Sequence, residues 1–357
     1  MTAPTPRGPE LQAAPDVRGV PGRSPRQAIA RALKTNEALV AVIIVAFSVV
    51  TGIVEPSFFT LANTFDLLRA SIVLGIMAIG VLVVLLSGGI DVSFTAVAAF
   101  AMYATTLFIT SNGLAVHWAV VFAISVGVGV LLGLVNAVFI GLLRLPTLIV
   151  TLGTLSLFRG FLLAFVGNRI INVLPPSMRE FSRAPLFRVT SPDGVIFTLP
   201  LAFLFLVGVV LVTWFILRRT MLGRAIYAYG GNAEAAERAG FHVLKLKFFV
   251  YGYVGGLAGL AGIIHASLAR AANPFDLVGL ELTVIAATVL GGASIAGGRG
   301  TILGTLLGIA LIVMITNSLV VLGIPSYWQR VAVGLLILLG IGVPAYQARR
   351  SQRATLT

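Results

Sequence analysis

Long apolar stretches recur along this chain, near residues 38–54, 66–87, 92–111, 116–142, 146–167, 197–217, 247–267, 279–296, 301–322 and 327–346. A run of about 18 or more apolar residues is long enough to cross a bilayer as a helix. In hydrocarbon the backbone must satisfy its own hydrogen bonds, and helices do so within one segment. About ten such runs therefore predict an all-α, polytopic membrane protein. The chain is 58% hydrophobic and 10% charged, with a mean hydropathy of +1.03. So few charges could not cover the surface of a soluble domain of 357 residues.

The spans form one bundle, so the expected organisation is simple. Residues 1–36, rich in Pro, Gly and Arg, read as a disordered tail. Residues 37–347 form the membrane domain, interrupted by a polar loop at 218–247, and 348–357 form a second tail. A cleavable signal would place its apolar region nearer Met1, so the first run is expected to be retained.

The net charge of +13 follows a membrane pattern rather than a nucleic-acid one. Arg7, Arg18, Arg23, Arg26, Arg31 and Lys34 crowd the N-terminal tail, and Arg349, Arg350 and Arg353 the C-terminal tail. The positive-inside bias places both termini in the cytoplasm, together with the 218–247 loop that carries Arg218, Arg219, Arg224, Arg238 and Lys245. The loop at 168–196 falls outside and runs against the bias with Arg169, Arg179, Arg183 and Arg188. The bilayer is a partner and nucleic acid is not.

Several chemistries are excluded. With no cysteine there is no disulfide, thiol catalysis or Cys-based metal site. His117, His242 and His265 lie far apart, with no His-Glu-x-x-His pattern and no carboxylate partner close in sequence, so no metal site is expected. Leu86-Ser87-Gly88-Gly89-Ile90 has the look of an ATPase signature, but it ends an apolar span and the chain has no phosphate-binding G-x-x-x-x-G-K-[ST] loop. No nucleophile elbow or carboxylate pair appears. No catalytic residue, ATP hydrolysis or cofactor is expected. Gly129 and Gly133, Gly252 and Gly256, Gly255 and Gly259, and Gly304 and Gly308 are spaced four apart, which reads as close helix packing.

The polar loop is where a soluble partner can reach this chain from the cytoplasm. Gly230-Gly231-Asn232 is a turn signal with Asn232 as helix N-cap. Ala233–Ala239 consists of strong helix formers, Glu234 and Arg238 stand four apart in the favourable order, and Gly240 stops the helix. Such a short helix is not stable alone and needs something to dock against.

The pattern G-x-N-x-x-A-A-x-x-x-G from Gly230 to Gly240 resembles the coupling-helix motif of ABC importer permeases. Gly88-Gly89-Ile90-Asp91-Val92-Ser93 resembles the GGIDLS element of the ribose/xylose/arabinose/autoinducer-type sugar permeases, with Val92 in place of Leu and Phe94-Thr95 in place of Val-Gly. Leu145 to Thr154 with Arg159-Gly160, and Glu281 to Gly304, resemble two further elements of that family in the same order, so the likeness covers about residues 38–345. The resemblance implies a vitamin B12 permease-like (type II importer) bundle in the bacterial inner membrane. It also implies a second permease subunit, identical or paralogous, cytoplasmic ABC ATPase subunits, and an extracytoplasmic binding protein that delivers a sugar. Gly230, Asn232, Glu234, Ala235, Ala236, Arg238 and Gly240 would then carry ATPase coupling.

Candidate pathway residues are Asp91, Ser93, Asn136, Thr151, Thr154 and Arg159. Asp91 or Ser93 either caps the helix after Gly88-Gly89 or faces the pathway. Arg159 pairs, snorkels or faces a wet cavity. Thr147, Thr151 and Thr154 bond their own helix or a passing hydroxyl, and Asn136 joins helices or lines the route. Arg179, Arg183, Arg188 and the segment Arg270–Asp276 are candidate docking points for the binding protein. Rival readings are a related permease for nucleosides or branched-chain amino acids, and an ion-coupled secondary transporter, for which ionisable groups beyond Asp91 and Arg159 are scarce.

Overall fold

The computed structural model describes residues 36–190, 194–325, 327–329, 331–335 and 338. The expected tails lie outside them, as does much of the expected span at 327–346. The helices are α1 (Asn36–Val54), α2 (Leu61–Leu86), α3 (Phe94–Ser111), α4 (Trp118–Ala137), α5 (Thr147–Phe161), α6 (Pro176–Arg183), α7 (Phe203–Arg219), α8 (Met221–Gly231), α9 (Ala233–Arg238), α10 (Val243–Ala269), α11 (Glu281–Leu290) and α12 (Ile302–Val321). Wider turns at Val138–Leu142 and Leu162–Val166 extend α4 and α5. Among the described residues seven helices are long and apolar enough to cross a membrane, or eight with the bent pair α7–α8 counted as one.

The packing centres on α10, which lies against α2, α3 and α4. Small residues make this possible. A Cβ on Gly255 would overlap the Gly129 carbonyl oxygen and stand 2.9 Å from Gly133 Cα. Gly259 lies as closely on the Ser125 carbonyl, and Ser125 Oγ donates to Gly259 O at 2.8 Å. Gly304 and Gly308 likewise press α12 onto Gly291 and Ala287. The four-residue spacing thus serves helix packing, except that Gly252 and Gly256 face the side chains of Leu134 and Val130 rather than backbone. Gly255→Val is expected to force α4 and α10 apart and cost about 1–3 kcal/mol. A thermal unfolding midpoint in detergent checks this against Gly153→Ala, whose Cβ meets open space.

Two expected spans differ from the structure. The run at 279–296 contains a helix of only ten residues, Glu281–Leu290, about 15 Å long against the roughly 30 Å of a bilayer core. Backbone that helices cannot use brackets it: Leu277, Gly279, Gly292, Gly297, Gly298 and Gly300 all have positive φ. Non-helical backbone at membrane depth is tolerated where protein buries it. The run at 197–217 begins in a strand, because β2 (Ile196–Pro200) pairs antiparallel with β1 (Pro185–Thr190) before α7 starts. At its other end α7 turns by 75° into α8, where Thr220 Oγ accepts the Gly223 amide as a helix cap.

Contacts sort the connections into two ends. At one end the backbones of Ile171 and Ala272 exchange two 3.0 Å hydrogen bonds, Tyr103 donates to the Arg169 carbonyl, and Arg69 donates to the Leu268 carbonyl. There α6 is anchored by Phe181, which sits in a ring cluster with Trp118, Phe122 and Phe205. His265 does have a carboxylate partner: Nε2 lies 3.2 Å from Asp276 Oδ2, because the chain folds back after α10. At the other end stand α8, α9, the α2–α3 break and the α11–α12 loop.

Candidate functional site

Local sequence alone closes α9. Asn232 Oδ1 accepts the Ala235 amide at 2.9 Å. At the other terminus Gly240, with φ +85°, takes the left-handed conformation. The Gly240 amide donates to Glu237 O and the Phe241 amide to Ala236 O, the paired bonds of a glycine-closed helix end. Gly230 and Gly231 finish α8 rather than forming an open turn. Glu234 and Arg238 form an ion pair on the exposed face, a pair worth only a few tenths of a kcal/mol, roughly, at such exposure. Ala235 and Glu237 are exposed beside them. Ala236 is buried, at 3% exposure, so it anchors α9 on its own chain. Gly230 also faces inward, against Leu86 and Gly298. Below α9, Lys247 donates to Ile140 O and stands 5.7 Å from the Tyr229 ring centre.

The break between α2 and α3 is gripped from three sides. Gly88 (φ +77°) ends the helical path. Thr147 and Thr151, one turn apart on α5, then clasp Ile90: its amide donates to Thr147 Oγ1 at 3.3 Å, and Thr151 Oγ1 donates to its carbonyl at 3.2 Å. Asp91 is 2% exposed. Its Oδ1 accepts both the amide and the hydroxyl of Ser93 at 2.7 Å. Asp91 therefore does the capping before α3, and Ser93, which makes no cap bond of its own, bridges onward. Asn136 Nδ2 donates to Ser93 Oγ at 2.7 Å. Because the Ser93 hydroxyl hydrogen is committed to a carboxylate, its free lone pair requires the Asn136 amide nitrogen and not the oxygen. Asn136 Oδ1 is left buried without a partner.

The remaining candidates separate. Thr154 bonds the Thr151 carbonyl in its own helix. Arg159 lies on the exposed face of α5, with no ion-pair or hydrogen-bond partner among the described residues. Sequence reasoning missed Thr95 and Glu281 as a pair: Thr95 Oγ1 donates to Glu281 Oε2 at 3.0 Å, and the Gly279 amide donates to the same oxygen at 2.8 Å. The signal was present, since Glu281 is an ionisable residue inside an apolar run. The α11–α12 loop joins the same end, where the Gly298 amide donates to Leu86 O at 3.0 Å.

Residues 63–340 match the family described as branched-chain amino acid transport system / permease component. The ribose import permease protein of Escherichia coli K12 is 34% identical over 310 residues, 87% of this chain and 93% of that protein. The ribose import permease protein of Haemophilus influenzae is 34% identical over 316 residues, 88% and 94%. The autoinducer 2 import system permease protein of Yersinia enterocolitica is 33% identical over 307 residues, 86% and 81%. No solved structure matches. Polar segments gripped between apolar helices and matches of this extent lead to one assignment: the chain belongs to the branched-chain amino acid transport system / permease component family, the multi-pass permease subunits of ABC importers.

Proposed function

We propose that this chain forms the translocation pathway for a sugar or related polyol, in the inner membrane of a bacterium, as one of two permease subunits powered by separate ATPases. The observation that carries the reading is α9, a self-capped helix whose exposed face presents Glu234, Ala235, Glu237 and Arg238 at the end opposite the β1–β2 hairpin. That face seats in a groove of a cytoplasmic ABC ATPase. The positive-inside bias puts α9 and both termini in the cytoplasm, and the hairpin end, with Arg179, Arg183 and Arg188, faces the binding protein. Monosaccharide cargo follows from the relatives named for ribose and autoinducer 2 import. Asp91, Ser93, Asn136 and Thr151 hold the α2–α3 break that borders the route, and Arg159 marks its wet side.

The test is uptake in proteoliposomes holding permease and ATPase, with ATP in the lumen and loaded binding protein outside. Labelled ribose should accumulate only with both. Competition by leucine and not by ribose would replace the sugar reading with an amino-acid one. In intact cells an impermeant maleimide should label Arg188→Cys and spare Glu234→Cys, a clean assay because the chain has no cysteine of its own. The reverse labelling would invert the orientation.

A further inference from the structure

Three elements remote in sequence meet backbone to backbone beside α9. Gly230 lies in the last turn of α8, and a Cβ built there would overlap the Leu86 carbonyl oxygen and stand 2.7 Å from the Gly298 nitrogen. A Cβ on Gly297 would stand 2.8 Å from Gly88 Cα, and one on Gly298 2.8 Å from Gly231 Cα. Two hydrogen bonds tie the contact. The Gly298 amide donates to Leu86 O at 3.0 Å, and Tyr227 Oη, on α8, donates to Gly300 O at 3.0 Å. The end of α8, the exit of α2 and the α11–α12 loop thus meet main chain on main chain in one joint, which the Tyr227 hydroxyl also ties.

That composition has a mechanical consequence. A contact made by side chains yields as rotamers change, whereas main chain packed on main chain has no such slack. Asn232 follows directly on α8 and starts α9, so a push on α9 acts on the joint across a single residue. On the membrane side, Leu86 leads into the Gly88–Ser93 break, which Thr147, Thr151 and Asn136 hold to α5 and α4. The loop residues lead back through α11 to Glu281, which holds Thr95 at the start of α3. The two branches end on either side of the start of α3, at Ile90 and Ser93 before it and at Thr95 within it.

We propose that this glycine joint is where movement of α9 enters the membrane domain, with Gly88, Gly230, Gly297 and Gly298 as positioning residues that convert it into a shift of the α2–α3 break and α11. The proposal rests on the reading of α9 as the ATPase-docking helix.

The experiment measures sugar uptake and ATP hydrolysis together in the reconstituted importer, for Gly230→Ala, Tyr227→Phe and the control Gly231→Ala, whose Cβ meets open space. Gly230→Ala should still co-purify with the ATPase and hydrolyse ATP, while sugar transported per ATP falls about tenfold, a factor typical of lost coupling between sites. Tyr227→Phe, which removes one hydroxyl and leaves the fold intact, should show a smaller fall in the same ratio, and Gly231→Ala none. Wild-type transport per ATP in Tyr227→Phe and in any assembled Gly230→Ala overturns the joint. If α9 variants themselves leave ATPase association and stimulation untouched, the docking reading fails instead. Losses confined to α9 variants sink the joint alone.

Discussion

Ala235→Arg should abolish sugar uptake and binding-protein-stimulated ATP hydrolysis without unfolding the permease. Ala235 is exposed in the middle of α9, and Arg is nearly as good a helix former as Ala. The caps from Asn232 and Gly240 stay in place, so the helix persists. What changes is the surface: a long cation now stands where, in the proposed docking, a groove closes over a methyl group. Disrupting the centre of a protein interface costs about 2 kcal/mol or more, roughly 30-fold in association. Co-purification with the ATPase and the stimulated hydrolysis rate are the measurements. Glu234→Arg is the companion change. It breaks an exposed ion pair whose loss costs the fold only about 0.3–0.5 kcal/mol, so a large fall in activity would have to come from the partner. Normal assembly and stimulation in both variants would remove α9 from the coupling route.

The second large effect concerns Arg159. Twelve residues into α5, it stands about 18 Å along the helix axis from Thr147, exposed and without a partner among the described residues. A guanidinium facing lipid costs at most about 2.5–3.5 kcal/mol on insertion scales, the figure for a helix centre, and less toward a helix end such as the last turn of α5 where Arg159 sits. A guanidinium facing a wet pathway does not. The placement proposed here predicts that Arg159→Leu lowers uptake at least about tenfold through lost polar lining, with no gain in stability beyond about 0.5 kcal/mol. The two measurements are uptake rate and thermal midpoint in the assembled complex. A Leu variant that transports normally and melts well above the parent would put Arg159 against lipid.

Helix α9 was legible because its signals are local. Asn232 caps an amide three residues on, Glu234 pairs four residues on, and Gly240 closes the turn it terminates. Each is a contact between near neighbours in the chain. The division of labour within the motif was not legible. In sequence Ala235 and Ala236 are equivalent; packing exposes the first and buries the second at 3%.

The α2–α3 break was legible as a break, through Gly88 and Gly89, but not in what holds it. Asp91 was expected either to cap or to face the pathway, and it caps by taking Ser93. Thr147 and Thr151 were weighed as bonding their own helix or a passing hydroxyl. Thr151 does bond its own helix, at the Leu148 carbonyl, and both hydroxyls also grip Ile90, 57 and 61 residues away. The β1–β2 hairpin escaped because its turn sits inside a long polar loop, although Pro192-Asp193-Gly194 is a turn signal in the sequence and Gly194 takes φ +77°.

The sequence by itself determined the all-α apolar bundle, most of its long helices, the polar end where a partner can reach, and the small helix that stands there. Those properties follow from hydrophobic period, charge bias and capping, which act within a few residues. Only the tertiary structure decided that Gly88, Gly230 and Gly298 share one joint and that Glu281 holds Thr95 across 186 residues. Glycines at four-residue spacing announce that backbones will approach, but not which ones. The choice of neighbour depends on how whole helices pack, a property of the bundle that no short stretch of chain carries.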